Sequence, residues 1–198
     1  MNTENFKPLK NLSLAEIEKK QMEIMFQYEP SERGVFENFD IDVYEDQETF
    51  KKYCWRVTEE LAEALEDTTH PNHFKEEIVD AFNFMMELYN LYGWSVTDLV
   101  SEDLKPNPDQ TNIHDTALLE RLTMKVIKQI GLTANLLKNR KWRQSQYLVD
   151  LLIFEKRFKL VWMYFKELLA SMGISDKELF ELWSLKYKVN LFRLSSHY

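Results

Sequence analysis

The fold is decided by the stretch Val57-Thr-Glu-Glu-Leu-Ala-Glu-Ala-Leu-Glu-Asp67, a short polar break, and Phe74-Lys-Glu-Glu-Ile-Val-Asp-Ala-Phe-Asn-Phe-Met-Met-Glu-Leu-Tyr89. Apolar residues recur in both segments at intervals of three and four, which predicts two amphipathic helices. The break, residues 68–72, is short enough to return the chain antiparallel, and Pro71 is tolerated in the first turn of a helix. The stretch therefore predicts a helical hairpin.

Four carboxylates occupy matching positions on the two predicted helices. Glu60 and Glu63 are three residues apart in the first helix, and Glu77 and Asp80 are three apart in the second, so each pair shares a face. At the margin of an apolar stripe, like charges repel each other and lose hydration. A hard divalent cation removes that penalty, and oxygen ligands favour Mg²⁺ or Mn²⁺ over zinc. A solvated, glutamate-rich helix face is the alternative interpretation.

Length and composition point to one all-α domain. The 198 residues include only four Gly and five Pro, which favours an antiparallel bundle of about six helices spanning residues 1–198. The sequence has no apolar run of about 18 residues, and its charged N-terminus does not resemble a signal peptide. The single Cys54 fits a reducing compartment, so we expect a cytoplasmic protein without a membrane span.

Charge is distributed unevenly along the chain. Residues 1–103 contain 9 basic and 24 acidic side chains, whereas residues 104–198 contain 16 basic and 9 acidic ones. The pattern predicts an acidic half, residues 1–103, that holds cations and a basic half, residues 113–198, that holds phosphates. The net charge of −8 argues against long nucleic acid as a ligand.

Local signals predict the other elements. A capping box, Ser13-Leu-Ala-Glu16, opens a helix that reaches about Tyr28. The segment from Glu29 to Tyr44 is predicted to be a covering loop. The remaining expectations are a helix from near Asp46, a short helical turn at 95–104, a linker at 104–112, a helix from Asp115 or Thr116 to about Lys138, a long helix from roughly Gln144 to Met172, and a last helix opened by Ser175-Asp-Lys-Glu178.

The two halves show a degenerate similarity. The segment at 56–65 resembles that at 121–130, and the segment at 91–99 resembles that at 171–179. On this alignment Lys125 and Lys128 replace Glu60 and Glu63, so the second half would supply structure and positive charge without a metal site. Two degenerate two-helix repeats are one interpretation, and chance similarity between amphipathic helices is the other.

Further polar and aromatic residues are candidates for substrate contacts. Lys186, Asn190 and Arg193 share one face of the last predicted helix, and such a trio suits phosphate oxygens, although cations also favour any helix C-terminus. Gln21 could face a pocket or the surface. Trp55 could stack on a base, or serve as a core or interface residue.

Two sets of these residues resemble a known family. Glu60-Leu-Ala-Glu63, a 13-residue spacer and Glu77-Ile-Val-Asp80 are similar to the ExxE…ExxD signature of the all-α nucleoside triphosphate pyrophosphatases, which include MazG-type enzymes and dimeric dUTPases. The ending Lys186-x3-Asn190-x2-Arg193-x4-Tyr198 resembles that of the dimeric dUTPases and of tailed-phage dCTP/dUTP pyrophosphatases. The resemblance covers about residues 46–99 and 171–198.

The resemblance implies roles for these residues. The four carboxylates would bind Mg²⁺, or Mn²⁺ in its place, and Glu63 would also orient or deprotonate the attacking water. Asn83 would face the substrate, although many family members carry His there. Leu194 and His197 also depart from the family's Gln and Gly, which leaves base specificity open. The triphosphate would be held by side chains of the tail: Lys186, Asn190, Arg193 and Tyr198.

Together the sequence predicts a Mg²⁺-dependent deoxynucleoside triphosphate pyrophosphohydrolase that converts dUTP or dCTP to a nucleoside monophosphate and pyrophosphate. A homodimer, and a host-cytosol location if the chain is of phage origin, are expected from the resemblance alone. Two alternatives remain open at this stage. One is a broader MazG-like activity on purine or modified dNTPs, and the other is a non-catalytic helical protein that binds a partner through its aromatic residues.

Overall fold

The computed structural model describes residues 8–9, 12–99 and 115–196, and within these ranges the secondary structure is entirely helical. This confirms the all-α prediction and its helical bundle. The eight helical segments, of which α5 is a single turn, are α1 (Leu14–Tyr28), α2 (Glu32–Asn38), α3 (Tyr44–Glu66), α4 (Pro71–Leu91), α5 (Val96–Leu99), α6 (Thr116–Ala134), α7 (Leu151–Ser171) and α8 (Asp176–Ser196).

The predicted hairpin forms from α3 and α4, which pack more extensively on each other than any other pair of helices. Helix α3 buries Phe50, Val57 and Leu61 completely, because these residues recur on one face. The turn at 67–70 leads directly into Pro71 at the start of α4, where its missing N–H leaves no helical hydrogen bond unmade.

A second hairpin, α6 and α7, packs on the first mainly through α3 and α6. Aromatic rings fill the space between the hairpins. Tyr89 stacks on Phe158 with ring centroids 4.0 Å apart. Its hydroxyl donates to the Phe158 carbonyl at 2.6 Å and accepts from the Trp162 N–H at 3.1 Å, so this buried polar group is satisfied.

The two hairpins end in the same type of turn. After α4, Gly93 adopts φ +80°, and the Trp94 N–H donates to the Tyr89 carbonyl at 3.0 Å. After α7, Gly173 adopts φ +74°, and the Ile174 N–H donates to Leu169 at 3.1 Å. Both are left-handed helix ends of the Schellman type, which favour glycine. The matching turns support the interpretation as degenerate repeats.

Helices α1 and α8 pack on each other and on α4, beside the first hairpin. Ser13 and Glu16 form the predicted capping box at the start of α1. At the start of α8 the Glu178 N–H donates to Ser175 Oγ at 3.2 Å, which is one of the two hydrogen bonds of the second predicted box. Trp183 is completely buried and anchors α8 in the core.

Several predicted boundaries were wrong. The segment expected to be a loop contains the helix α2, and α6 ends at Ala134 rather than near Lys138. Helix α7 begins at Leu151, seven residues after the expected start, because Asp150 caps it by accepting the Ile153 N–H. The predicted linker at 104–112 lies outside the described residues. None of the helices within the described ranges has the length and apolarity needed to span a bilayer.

Candidate functional site

Three carboxylates from the first hairpin meet in one place. Glu60 extends from α3. Glu77 and Asp80 extend from α4, where they lie three residues apart on the same face. One oxygen of each lies within 4.8 Å of the others, and all three side chains are partly buried. Helical spacing accounts for this geometry, because positions three apart lie on one face and the hairpin brings the two faces together. These oxygens could hold a divalent metal ion.

Glu63, the fourth predicted ligand, is exposed and is not part of this three-oxygen group. It still lies close enough for its charge to raise the pKa of both Glu60 and Glu77. The structure thus brings together three of the four predicted carboxylates and leaves the fourth beside them, on the solvent side.

Burial and mutual repulsion raise the pKa of each of these acids. The pKa of Glu60 rises to about 8 because burial disfavours its charge and because Asp80, Glu63 and Glu77 repel it. The pKa of Glu77 is raised by burial and then by Asp80. Burial also raises the pKa of Asp80, although Lys186 opposes the shift. The cluster therefore lacks enough positive charge to ionise fully.

Lys186 of α8 supplies part of that positive charge. Its ammonium group lies 2.5 Å from Asp80 Oδ2 and 3.1 Å from Glu76 Oε1. Burial alone would lower the pKa of Lys186, but the charge of Asp80 and its hydrogen bond raise it. The C-terminal helix therefore reaches the acidic cluster of its own chain.

A cleft of about 490 Å³ opens beside the cluster, between α1, α3, α4 and α8. The Arg193 guanidinium lies 3.4 Å from Asn190 Oδ1, and Tyr28 donates its hydroxyl proton to the Asn190 carbonyl at 2.9 Å. The cleft joins most of the residues selected from the sequence, and those that line it are Gln21, Glu60, Asp80, Asn83, Lys186, Asn190 and Arg193.

Asn83 is the least satisfied polar residue in the cleft wall. Only 5% of it is exposed, and its Nδ2 donates to Asp80 Oδ1 at 3.3 Å. Its Oδ1 is buried and accepts no hydrogen bond from the described residues. An unmatched buried carbonyl costs about 1–3 kcal/mol. This side chain therefore offers a ready acceptor to a ligand.

Sequence reasoning missed three charged residues that line the cleft: Glu29, Arg56 and Glu87. Arg56 donates to Glu29 at 2.6 Å and lies over the ring of Phe84, with 5.2 Å from its guanidinium carbon to the ring centroid. Glu87 is only 3% exposed and accepts a hydrogen bond from Gln21. For Glu87 the sequence did contain a signal, because it is the only carboxylate within the apolar run at 84–89.

Of two further predicted substrate contacts, Trp55 and Tyr198, only Trp55 is among the described residues. Trp55 is 62% exposed, donates its indole N–H to Glu59 at 2.6 Å, and is not part of the cleft lining. Tyr198 lies outside the described residues. The cleft is therefore formed without a stacked tryptophan from this chain.

The arrangement pairs clustered carboxylates, which suit a hard cation, with Lys186 and Arg193, which suit an anion, in one cleft. A metal-bound phosphate compound has both features. Searches of protein-family models, curated proteins and solved structures found no match to the chain.

Proposed function

We propose that the protein is a Mg²⁺-dependent deoxynucleoside triphosphate pyrophosphohydrolase that converts dUTP or dCTP to the monophosphate and pyrophosphate. The observation that carries the proposal is the meeting of Glu60, Glu77 and Asp80 beside a cleft that Lys186 and Arg193 line. The motif resemblance of the hairpin and tail to the all-α pyrophosphatases supplies the reaction and the substrate class.

The residues present fit magnesium. Their donor atoms are carboxylate oxygens, and burial together with three neighbouring acids raises the pKa of Glu60 although Lys186 opposes the shift. Glu60, Glu77 and Asp80 would hold the ion, with Mn²⁺ as a substitute. When bound, Mg²⁺ would lower the pKa of a coordinated water and neutralise charge on the phosphates.

The chain's own groups would bind and align the substrate. Lys186 would exchange Asp80 and Glu76 for phosphate oxygens, and Arg193 would add a second cation. Asn190, on the same helix face, would donate its amide N–H to the same phosphates. Glu63, which is exposed beside the cluster, would take the proton from the attacking water.

The decisive experiment measures pyrophosphate release from dUTP, dCTP, dATP and dGTP with Mg²⁺ and compares the wild type with Glu63→Gln. We expect the substitution to remove nearly all turnover without unfolding the protein, because Glu63 is exposed. Glu66→Gln, another exposed position on α3, is the matched control and should keep full turnover. Near-normal turnover in Glu63→Gln would contradict the proposed role, and preference for dATP or dGTP would replace the pyrimidine substrate with the broader MazG-like activity.

We further propose a cytosolic homodimer. The support is a group of exposed apolar side chains near the start of α7, with Trp142 and Leu148 each 79% exposed and Leu152 81% exposed. The same surface favours a second candidate, a non-catalytic protein that binds a partner through this surface. Calorimetry with Mg²⁺ and the α,β-imido analogue of dUTP separates the two, because an interaction protein would bind neither.

A further inference from the structure

Glu87 lies at the inner part of the cleft, away from the metal cluster. It is seven residues after Asp80 on α4, or about 10 Å along the helix axis. Asn83 lies between them on the same face, at i+3 from Asp80 and i−4 from Glu87. Asp80, Asn83 and Glu87 therefore follow one line along the cleft wall.

Hydrogen bonds fix the orientation of the Glu87 carboxyl group. The indole N–H of Trp183 donates to Gln21 Oε1 at 3.2 Å. Because an indole nitrogen only donates, the Gln21 amide oxygen must face Trp183 and its nitrogen must face the acid. Gln21 Nε2 then donates to Glu87 Oε1 at 2.8 Å. One carboxyl oxygen is thereby committed as an acceptor, and the proton of a neutral acid belongs on the other.

The charged and titratable groups around Glu87 belong to α3 and to the end of α1. Arg56 and Lys52 both pair with Glu29, at 2.6 and 2.7 Å, and Tyr53 donates its hydroxyl proton to Met25 Sδ. Among the described residues none forms an ion pair with Glu87.

This environment favours the neutral acid. Burial raises the pKa of Glu87 to about 8, against the smaller lowering effects of the Gln21 hydrogen bond, Arg56 and Lys52 and a raising effect from Glu29. At neutral pH this part of the cleft presents a hydroxyl donor at Glu87 and an unmatched acceptor at Asn83 Oδ1. Phosphate offers only acceptors to such a pair, and its cationic partners lie near Asp80. A ligand group that carries an N–H donor beside an acceptor atom matches the Glu87 hydroxyl and Asn83 Oδ1 better than phosphate does.

We propose that Glu87 and Asn83 form the base-recognition end of the cleft, with the Glu87 hydroxyl donating to an acceptor on the base and Asn83 Oδ1 accepting from the adjacent N–H. The inference rests on the proposed function. Uracil offers N3–H beside a carbonyl, and cytosine offers its amino group beside N3, so either pyrimidine satisfies the pair. Glu87 is thus a base-contacting residue that no sequence motif indicated.

The test measures the Kd of the α,β-imido analogues of dUTP and dCTP, with Mg²⁺, at about pH 7 and about pH 9. Ionisation of Glu60 over the same range acts on every compound that binds with Mg²⁺, so each nucleotide Kd is divided by the Kd of inorganic tripolyphosphate. If only the neutral Glu87 acid binds the base, this ratio rises about tenfold in the wild type between the two pH values. Glu87→Gln keeps the shape and an N–H donor but cannot ionise, so its ratio should equal that of the wild type at the lower pH and stay constant. Inorganic tripolyphosphate has no base, and its Kd should not respond to the substitution.

The outcomes separate this inference from the proposed function. If tripolyphosphate and the nucleotides bind, but nucleotide affinity has the same pH dependence in the wild type and in Glu87→Gln, the base-recognition role is wrong. A pH dependence that tripolyphosphate shares would also overturn it. If neither compound binds the wild type, the proposed function fails as well. Unfolding curves of both proteins confirm that each measurement is made on folded chains.

Discussion

At the scale of single residues, burial without an ion-pair partner raises the pKa of two carboxyl groups of the cleft, Glu60 and Glu87. Glu60 has an ordinary pKa of 4.5 and a folded pKa of about 8. The folded protein therefore holds this proton at pH values where the unfolded chain has lost it. The free energy of unfolding must fall as the pH rises from about 4.5 to 8, since ionising Glu60 in the folded state costs more than in the unfolded chain.

We predict that Glu60→Gln stabilises the metal-free protein at about pH 8. The neutral amide removes the repulsion from Asp80, Glu63 and Glu77, and after allowance for solvent screening the gain should be about 1–2 kcal/mol. Urea unfolding with EDTA at about pH 5 and about pH 8 measures it, and the gain should nearly vanish at the lower pH. A loss of stability at the higher pH would contradict the repulsion argument.

We predict that Mg²⁺ makes the wild type more stable to unfolding than Glu60→Gln, which reverses the order expected for the metal-free proteins. Saturating Mg²⁺ stabilises the state that binds it, and we expect the wild type, which keeps the Glu60 carboxylate, to bind the ion more tightly than the variant. Glu66→Gln is the control, because this exposed glutamate lies outside the three-oxygen group. Its unfolding free energy should stay within about 0.5 kcal/mol of the wild type under each condition.

The residues of the site differed in how far the sequence predicted them. Helical spacing places Glu60 on one face of α3 and places Glu77 and Asp80 on one face of α4. Predicting the hairpin was therefore enough to predict that the three carboxylates meet. The unmatched oxygen of Asn83 and the burial of Glu87 depend on α1 and α8, which pack against α4 from distant parts of the chain. Local patterns carry no information about such contacts.

At the scale of helices, the cap of α1 has a measurable role. Ser13 Oγ accepts the Glu16 N–H at 3.3 Å, and Glu16 accepts the Ser13 N–H at 2.8 Å. We predict that Ser13→Ala lowers the free energy of unfolding by about 1 kcal/mol. Ser31→Ala is the matched control, because Ser31 precedes α2 without a capping side-chain bond. Equal urea midpoints for the two variants would show that the α1 box contributes nothing.

The turn after α4 depends on glycine. Gly93 has φ +80°, a conformation that costs an alanine about 1–2 kcal/mol, so Gly93→Ala should be destabilising by that amount. Gly131 lies inside α6, and an added Cβ would meet nothing within 4 Å. Gly131→Ala should therefore raise stability by about 0.5–1 kcal/mol. Thermal unfolding measures both effects: relative to the wild type, the melting temperature should fall in Gly93→Ala and rise in Gly131→Ala.

Long helices with clear periodicity were predictable, and their ends were less so. Helix α2 was missed because Pro30 and Gly34 suggested a loop. The seven residues Glu32–Asn38, which include Gly34, nevertheless form a helix. The start of α7 was placed too early because apolar residues such as Leu148 continued the pattern. That residue is exposed, and the helix begins only after Asp150 supplies a cap.

At the scale of the whole molecule, the two hairpins differ in charge on a similar framework. The first hairpin gathers acids, whereas in the second Lys125, which aligns with Glu60, pairs with Glu167 at 2.5 Å. The three-oxygen carboxylate group therefore belongs to one hairpin, and Lys186 of α8 brings a positive charge to it. The second hairpin supports the core and carries the exposed apolar group.

We expect the exposed apolar group near the start of α7 to form the interface of the homodimer. Leu148 and Leu152 are 79% and 81% exposed, and apolar clusters of this kind are usually covered by a partner. We predict that the wild type sediments as a dimer and that Leu148→Asp combined with Leu152→Asp sediments as a monomer, because two charges would have to be buried in the interface. Met163→Asp, on the same helix and 58% exposed, should remain dimeric. Equal helix content by circular dichroism would exclude unfolding as the cause, and a monomeric wild type at micromolar concentration would contradict the homodimer.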